Sequence, residues 1–185
     1  MKTDLHSAPL GALDRSGTSP RLRFERNIAH PPEVVWQAQT MPQRLAAWFP
    51  TTIEGTLEAG VSLRFAFPSG LAIPPMEGRV LAAEPPKLLE FQWGPDTVRF
   101  ELHSEAAGTR LVLIVVLETL GKAARDGAGW HVCLEQLAAS LDGQGTGGDT
   151  SARWREVHTG YVAAFGSEAA LEGPPREWED AYGEG

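Results

Sequence analysis

LLEFQWGPDTVRFELHS, residues Leu88 to Ser104, decides the fold. Leu89, Phe91 and Trp93 share one parity before Gly94-Pro95, and Val98, Phe100 and Leu102 share one parity after it, with Arg99, Glu101 and His103 on the other. Alternation with a period of two marks a strand with one buried face, and a Gly-Pro break between two such runs marks a hairpin. The stretch therefore predicts two antiparallel strands that present a common apolar, aromatic face.

The pattern repeats outward in both directions. Thr51 to Leu57 predicts a short strand, Val61 to Phe67 places Leu63, Phe65 and Phe67 together, and Met76 to Ala83 predicts a strand containing Val80 and Ala82. Thr109 to Glu118 is apolar on nearly both faces, as a central strand is. Gly60, Pro68-Ser69-Gly70, Pro85-Pro86 and Ala107-Gly108 separate these runs with turn chemistry, so the sheet reads as an antiparallel meander. Upstream, Arg21 to Ala29 alternates Leu22, Phe24 and Ile28 against Arg23, Glu25 and Asn27. Arg26 breaks the alternation, with two readings: a polar anchor inside a pocket, or a long side chain that reaches out to solvent near the strand end.

Helical signals bracket the meander. Pro31-Pro32 suits a helix first turn, where a missing N–H costs nothing, and Val34, Val35, Ala38 and Met41 form a short apolar stripe. Pro42 to Phe49 predicts a second short helix with Leu45, Trp48 and Phe49 inward. From Gly121 to Leu141, Trp130, Cys133, Leu134, Leu137 and Leu141 recur at helical spacing, which predicts one long helix covering the sheet, with His131, Glu135 and Gln136 on its solvated edge. Trp154, Val157, Tyr161 and Phe165 mark a further amphipathic helix, whose stripe must be buried on the domain itself or on a second subunit in a homodimer. The predicted organisation is a loose tail over 1–20, a folded α+β domain over 21–141, a Gly-rich linker over 142–150, the extra helix over 151–166 and an acidic tail over 167–185.

Composition narrows the function classes. The 185 residues carry a formal net charge of −8 with 16 Lys and Arg spread along the chain, which argues against a nucleic-acid surface, since phosphate binding needs clustered cations. Cys133 is the single cysteine, so there is neither an internal disulfide nor a thiolate zinc cluster. Met1 to Pro20 has no continuous apolar run, so a secretory signal or membrane span is not expected there, and the chain reads as cytoplasmic.

The residues also carry a family resemblance. Phe24-Glu25-Arg26, Pro32-Glu33-Val34-Val35-Trp36, Leu45-Ala46-Ala47-Trp48-Phe49, Pro86-Lys87-Leu88-Leu89-Glu90-Phe91-Gln92-Trp93, Gly108-Thr109-Arg110-Leu111 and Gly129-Trp130 together resemble the heat-shock-chaperone ATPase activator homologues, part of the START-related, birch-pollen-allergen-like superfamily. The likeness runs from about Arg21 to Leu141. It implies a helix-grip architecture: a curved antiparallel sheet wrapped around a long carboxy-terminal helix, two small helices closing one end, and a cavity between sheet and helix. Relatives of this fold include lipid carriers, hormone receptors, polyketide cyclases and chaperone regulators, so the resemblance implies shape before activity. Chaperone-activating members work with a separate amino-terminal domain, which Met1 to Pro20 are not expected to supply.

Catalytic patterns are searched for and set aside. Gly143, Gly145 and Gly148 match a dinucleotide pattern by letters, yet they follow a helix and not a strand. No Gly-x-Ser-x-Gly elbow occurs, and His6, His30, His103, His131 and His158 are dispersed without metal-ligand spacing, so no metal, cofactor or catalytic residue is assigned. Glu77, Arg79, Glu90, Arg99 and Glu101 fall opposite the apolar parity, as outer-face ion pairs would. What remains is the aromatic interior. Trp48, Phe65, Phe67, Met76, Trp93, Phe100, Trp130 and Leu134, with Arg26, are the expected lining of a pocket for a small apolar or aromatic molecule. Two alternatives stay open: a cyclase- or dehydratase-type enzyme using the same pocket with Arg26 and His131 as its polar groups, and a protein-interaction or chaperone-regulating module.

Overall fold

The computed structural model describes residues 8–71, 73–146 and 150–174. Eight strands form one antiparallel sheet in the order β1-β2-β8-β7-β6-β5-β4-β3. They are β1 Ala12–Asp14, β2 Arg21–Ile28, β3 Thr52–Glu54, β4 Ser62–Ala66, β5 Met76–Glu84, β6 Leu88–Trp93, β7 Asp96–Glu105 and β8 Gly108–Val116. Helices α1 (Pro32–Thr40) and α2 (Pro42–Leu45) follow β2, and α3 (Ala123–Leu141) lies against the sheet's inner face. α4 (Ser151–Phe165) packs on α3. This is the α+β helix-grip arrangement.

The hairpin at Gly94-Pro95 forms as the alternation requires: Leu89 pairs with Phe100, Phe91 with Val98 and Trp93 with Asp96. Leu89, Phe91, Val98, Phe100 and Leu102 are buried on the shared face, while Arg99 bridges Glu90 and Glu101 at 2.8 and 2.7 Å on the other. β8 joins the two halves by pairing β2 on one side and β7 on the other, so Leu111, Leu113 and Val115 sit at the centre of the core. α3 contributes Trp130, Leu134 and Leu137 to that core.

Two features of the sheet differ from the sequence reading. The segment expected to be a loose tail holds β1, an edge strand whose Leu13 pairs with Leu22. Its three residues are too few to show periodicity, and pairing with β2 is what orders them. In β5 the register shifts between Val80 and Ala82, so Leu81 is the extra residue of a bulge. The bulge resets parity: Val80 is buried, Ala83 and not Ala82 packs on the core, and Leu81 is left exposed.

The ends of the long helix are pinned. A 3-10 turn, Leu120–Lys122, leads into α3, and its buried Lys122 Nζ lies 2.7 Å from Asp96 Oδ1, which also accepts the Glu118 N–H at 2.8 Å. Asp96 opens β7, so this pair fixes the start of α3 against the hairpin that carries Trp93. Past α4, a 3-10 turn at Ser167–Ala169 buries Ala169, and Glu172 reaches back to Thr119 and Arg125. Up to Pro174 the expected acidic tail is therefore docked. The tail beyond it, Met1 to Ser7, and linker residues 147–149 lie outside the described residues.

Candidate functional site

The α3 helix has two working faces. Trp130, Leu134 and Leu137 point at the sheet, while Gly127, His131 and Glu135 face α4. Each face builds a different region.

The first region is an aromatic track. Phe67, just beyond β4, is half-buried and lies 6.3 Å, ring to ring, from half-buried Trp93. Trp93 meets buried Phe65 at 4.7 Å and Trp130 at 5.8 Å, Trp130 meets Phe100 at 6.3 Å, and Phe100 meets Trp48 at 6.1 Å. Most pairs are edge-to-face, the favoured geometry for aromatic quadrupoles. Gly78 makes the dense packing possible, because a Cβ there would fall 2.2 Å from the Gln92 carbonyl and 2.7 Å from the Phe65 ring. The rings fill one another's space in this conformation, and the half-buried edge made by Phe67, Met76 and Trp93 is where the interior reaches the surface. At the inner end, the Trp48 indole N–H donates to the Ala38 carbonyl of α1 at 2.8 Å.

Eight of the nine expected pocket residues are in or beside this track: Trp48, Phe65, Phe67, Met76, Trp93, Phe100, Trp130 and Leu134. Phe49 was missed as its hub. It touches Trp48, Phe65, Phe91, Trp93 and Trp130 at 5.3 to 6.5 Å, and the signal for it was its position beside Trp48 on the inner side of the second short helix.

The ninth, Arg26, belongs to the second region, a polar cluster under α4. Its side chain has the inward parity of β2, and Nη2 lies 3.5 Å from His131 Nδ1. His131 Nδ1 is also 3.0 Å from the Tyr161 hydroxyl, and Nε2 is 3.2 Å from Glu135 Oε1. Arginine only donates, so Nδ1 accepts, and the ring carries its proton on Nε2 toward Glu135. The Tyr161 oxygen in turn accepts the Gly11 N–H at 2.7 Å, and Arg153 grips Glu135 through Nε at 3.0 Å and Nη2 at 2.7 Å. Burial alone would raise the Glu135 carboxyl, but hydrogen bonds from His131 and Arg153 hold it down at about 2. Burial pushes the Tyr161 hydroxyl up to about 12 and lowers the Arg26 guanidinium.

His131 and Glu135 were expected on a solvated edge, yet they are only 1% and 8% exposed. The sequence pattern of α3 shows one apolar stripe and cannot show that α4 closes over the polar side. Tyr161 lies flat on Gly127, whose absent Cβ would sit 3.2 Å from the ring. The α4 stripe is thus seated on the chain's own α3 and β2, with Val157 and Tyr161 buried and Trp154 and Phe165 partly so.

Elsewhere the chemistry is sparse. Burial pushes the Cys133 thiol up to about 12, so it is a small apolar side chain at neutral pH. Asp126 lies one turn before Trp130, is raised by burial, and is paired with Arg125 at 2.7 Å. No group of three potential metal ligands occurs among the described residues, and no helix among them is long and apolar enough to cross a membrane. A separate, largely polar cleft of about 410 Å³ lies between α1, α2 and the end of α3, lined by Ala38, Arg44, Ala47, Ser140, Leu141 and Gln144 among others. It shares no lining residue with the expected pocket.

Comparison with known proteins agrees with the geometry. The family model for Activator of Hsp90 ATPase homolog 1-like protein matches residues 29–142, and the chain belongs to that family, within the Bet v 1-like superfamily. Among solved structures, a conserved protein of unknown function, EF2215 from Enterococcus faecalis, superposes with a TM-score of 0.70 at 21% identity over 88% of this chain and 92% of that one. CalU16 from Micromonospora echinospora gives 0.65 at 24% identity over 84% and 96%. DynU16, described as a putative protein in the dynemicin biosynthetic locus, gives 0.59 at 28% identity over 66% of this chain and 47% of that one. No curated protein matches.

Proposed function

We propose that this protein is a non-catalytic binding module for a small aromatic or largely apolar molecule, taken up along the track between sheet and α3. One observation carries the reading: ring contacts run without a break from half-buried Phe67 and Trp93 to buried Trp130, Phe100 and Trp48. Rings in edge contact gain little from one another that an intercalated aromatic ligand would not return, and the Phe67–Met76–Trp93 edge supplies the way in. The biosynthetic-locus setting of DynU16 supports a ligand of small-molecule size.

The enzyme alternative loses its polar groups to another task. Arg26 and His131 meet, but Tyr161, Glu135 and Arg153 enclose them and they face α4. Tryptophan fluorescence tests the binding reading with N-phenyl-1-naphthylamine as the probe. Saturable quenching with a Kd in the micromolar range is expected. Linear quenching without saturation would refute it.

A further inference from the structure

The two elements that carry Trp93 and Trp130 break their apolar patterns at one shared place. β7 turns Val98, Phe100 and Leu102 inward, and Asp96 has the same parity: it is buried and stands directly opposite Trp93 in the hairpin register, so the two side chains are neighbours on one face. On α3, Asp126 precedes Trp130 by four residues and takes a place in the stripe that an apolar side chain would fill. It lies near enough to Asp96 and Lys122 for their charges to act on its carboxyl. Because Trp93 and Trp130 are 5.8 Å apart, ring to ring, both carboxyls border the same end of the aromatic track, the end that includes half-buried Trp93.

A charged side chain at a core-facing position needs a structural or a functional reason. For Asp96 the reason is structural, since it holds Lys122 Nζ at 2.7 Å and the Glu118 N–H at 2.8 Å. Asp126 has no such task. Its Oδ1 accepts only from Arg125 Nε, on the adjacent residue, at 2.7 Å; among the described residues nothing donates to Oδ2, and the side chain is 17% exposed. The cluster linked by these contacts sets three carboxylates, Asp96, Asp126 and Glu172, against two cations, Lys122 and Arg125, which leaves one negative charge unmatched.

We propose that Asp126 receives a cationic nitrogen: the ligand is an arylalkyl amine, with its ring body against Trp93 and Trp130 and its ammonium on Asp126 Oδ2 at the surface end of the track. The inference rests on the aromatic-track reading and adds charge and direction to it. A carboxylate gives an ammonium a charge-assisted hydrogen bond, and indole rings beside it attract the same cation. A neutral molecule of equal shape gains neither.

The test compares 2-naphthylmethylamine with its neutral counterpart 2-naphthylmethanol by calorimetric titration at neutral pH. Wild type is set against Asp126→Asn, Asp126→Ser and Glu84→Gln, the last removing one exposed charge at the far end of the β5–β6 hairpin from Trp93. Thermal unfolding verifies each fold. Wild type should prefer the amine by about tenfold or more, and both Asp126 variants should lose most of that preference while Glu84→Gln keeps it. With both probes bound, three results overturn the inference and leave the track intact: no preference in wild type, an unchanged preference in the Asp126 variants, or an equal loss in Glu84→Gln. If neither probe binds wild type, the proposed function falls and this inference with it.

Discussion

The two faces of α3 are built to opposite specifications. Toward the sheet, Trp130 enters a region of rings with no ion pair among them, and the region reaches the surface at Phe67, Met76 and Trp93. Toward α4, polar groups are linked in a chain: Arg26 and Tyr161 to His131, His131 to Glu135, Glu135 to Arg153, Tyr161 to Gly11, with the Arg26 Nε left without a partner among the described residues. Directional bonds hold parts in one place, whereas non-directional ring contacts tolerate rearrangement. The contrast assigns the polar face to holding the structure closed and the aromatic face to admitting a ligand.

Tyr161 offers the sharpest way to break that contrast. Tyr161→Ala removes the ring seated on Gly127, Phe24 and Phe165 and the acceptor for Gly11. A loss of about 3–5 kcal/mol is expected in urea unfolding, with probe binding retained in the fraction that stays folded. If the variant instead loses binding at unchanged stability, the two faces have been assigned the wrong way round.

Acid comes next. The Glu135 carboxyl titrates at about 2 in the folded chain against 4.5 ordinarily. A depressed carboxyl stabilises the fold fully above pH 4.5 and loses that contribution as the pH falls through 2. The stabilisation at stake is on the order of 3 kcal/mol. Unfolding free energy followed by circular dichroism should fall across this window in wild type. Glu135→Gln should start lower and show a shallower fall there, and an identical pH profile would exclude Glu135 as the clamp.

Trp93→Ala has the smallest expected effect on stability and the largest on binding. The ring is half-buried, so about 1–2 kcal/mol of stability is expected to go. Affinity for N-phenyl-1-naphthylamine should drop about tenfold or more, because the ring joins the surface edge to Trp130. Unchanged affinity would move the ligand path elsewhere, with the cleft beside α1 and α2 as the next place to look.

Much of this was legible in the sequence, and the gaps have physical causes. Leu88 to Trp93 and Asp96 to Glu105 are strands in the expected register because alternation and the Gly94-Pro95 turn leave no competing reading. The order of elements and the single late helix announced the family. The inversion at Ala82 and Ala83 was hidden because a bulge leaves no periodic trace when its neighbours are small or aliphatic. The polar face of α3 was hidden for a different reason: His131 and Glu135 read as solvent-facing until Tyr161, 30 residues beyond His131, lands beside them. Arg26 showed the same limit. Its parity was correct, but whether it met solvent, a ligand or a clamp depended on α4.

The indole N–H resonances of the tryptophans, followed by NMR as N-phenyl-1-naphthylamine is added, test the central claim most directly. Trp93 and Trp130 on the track should shift and saturate together, while Trp154, stacked on His158 in α4, stays in place. Shifts confined to Trp154, or none at all, would contradict it.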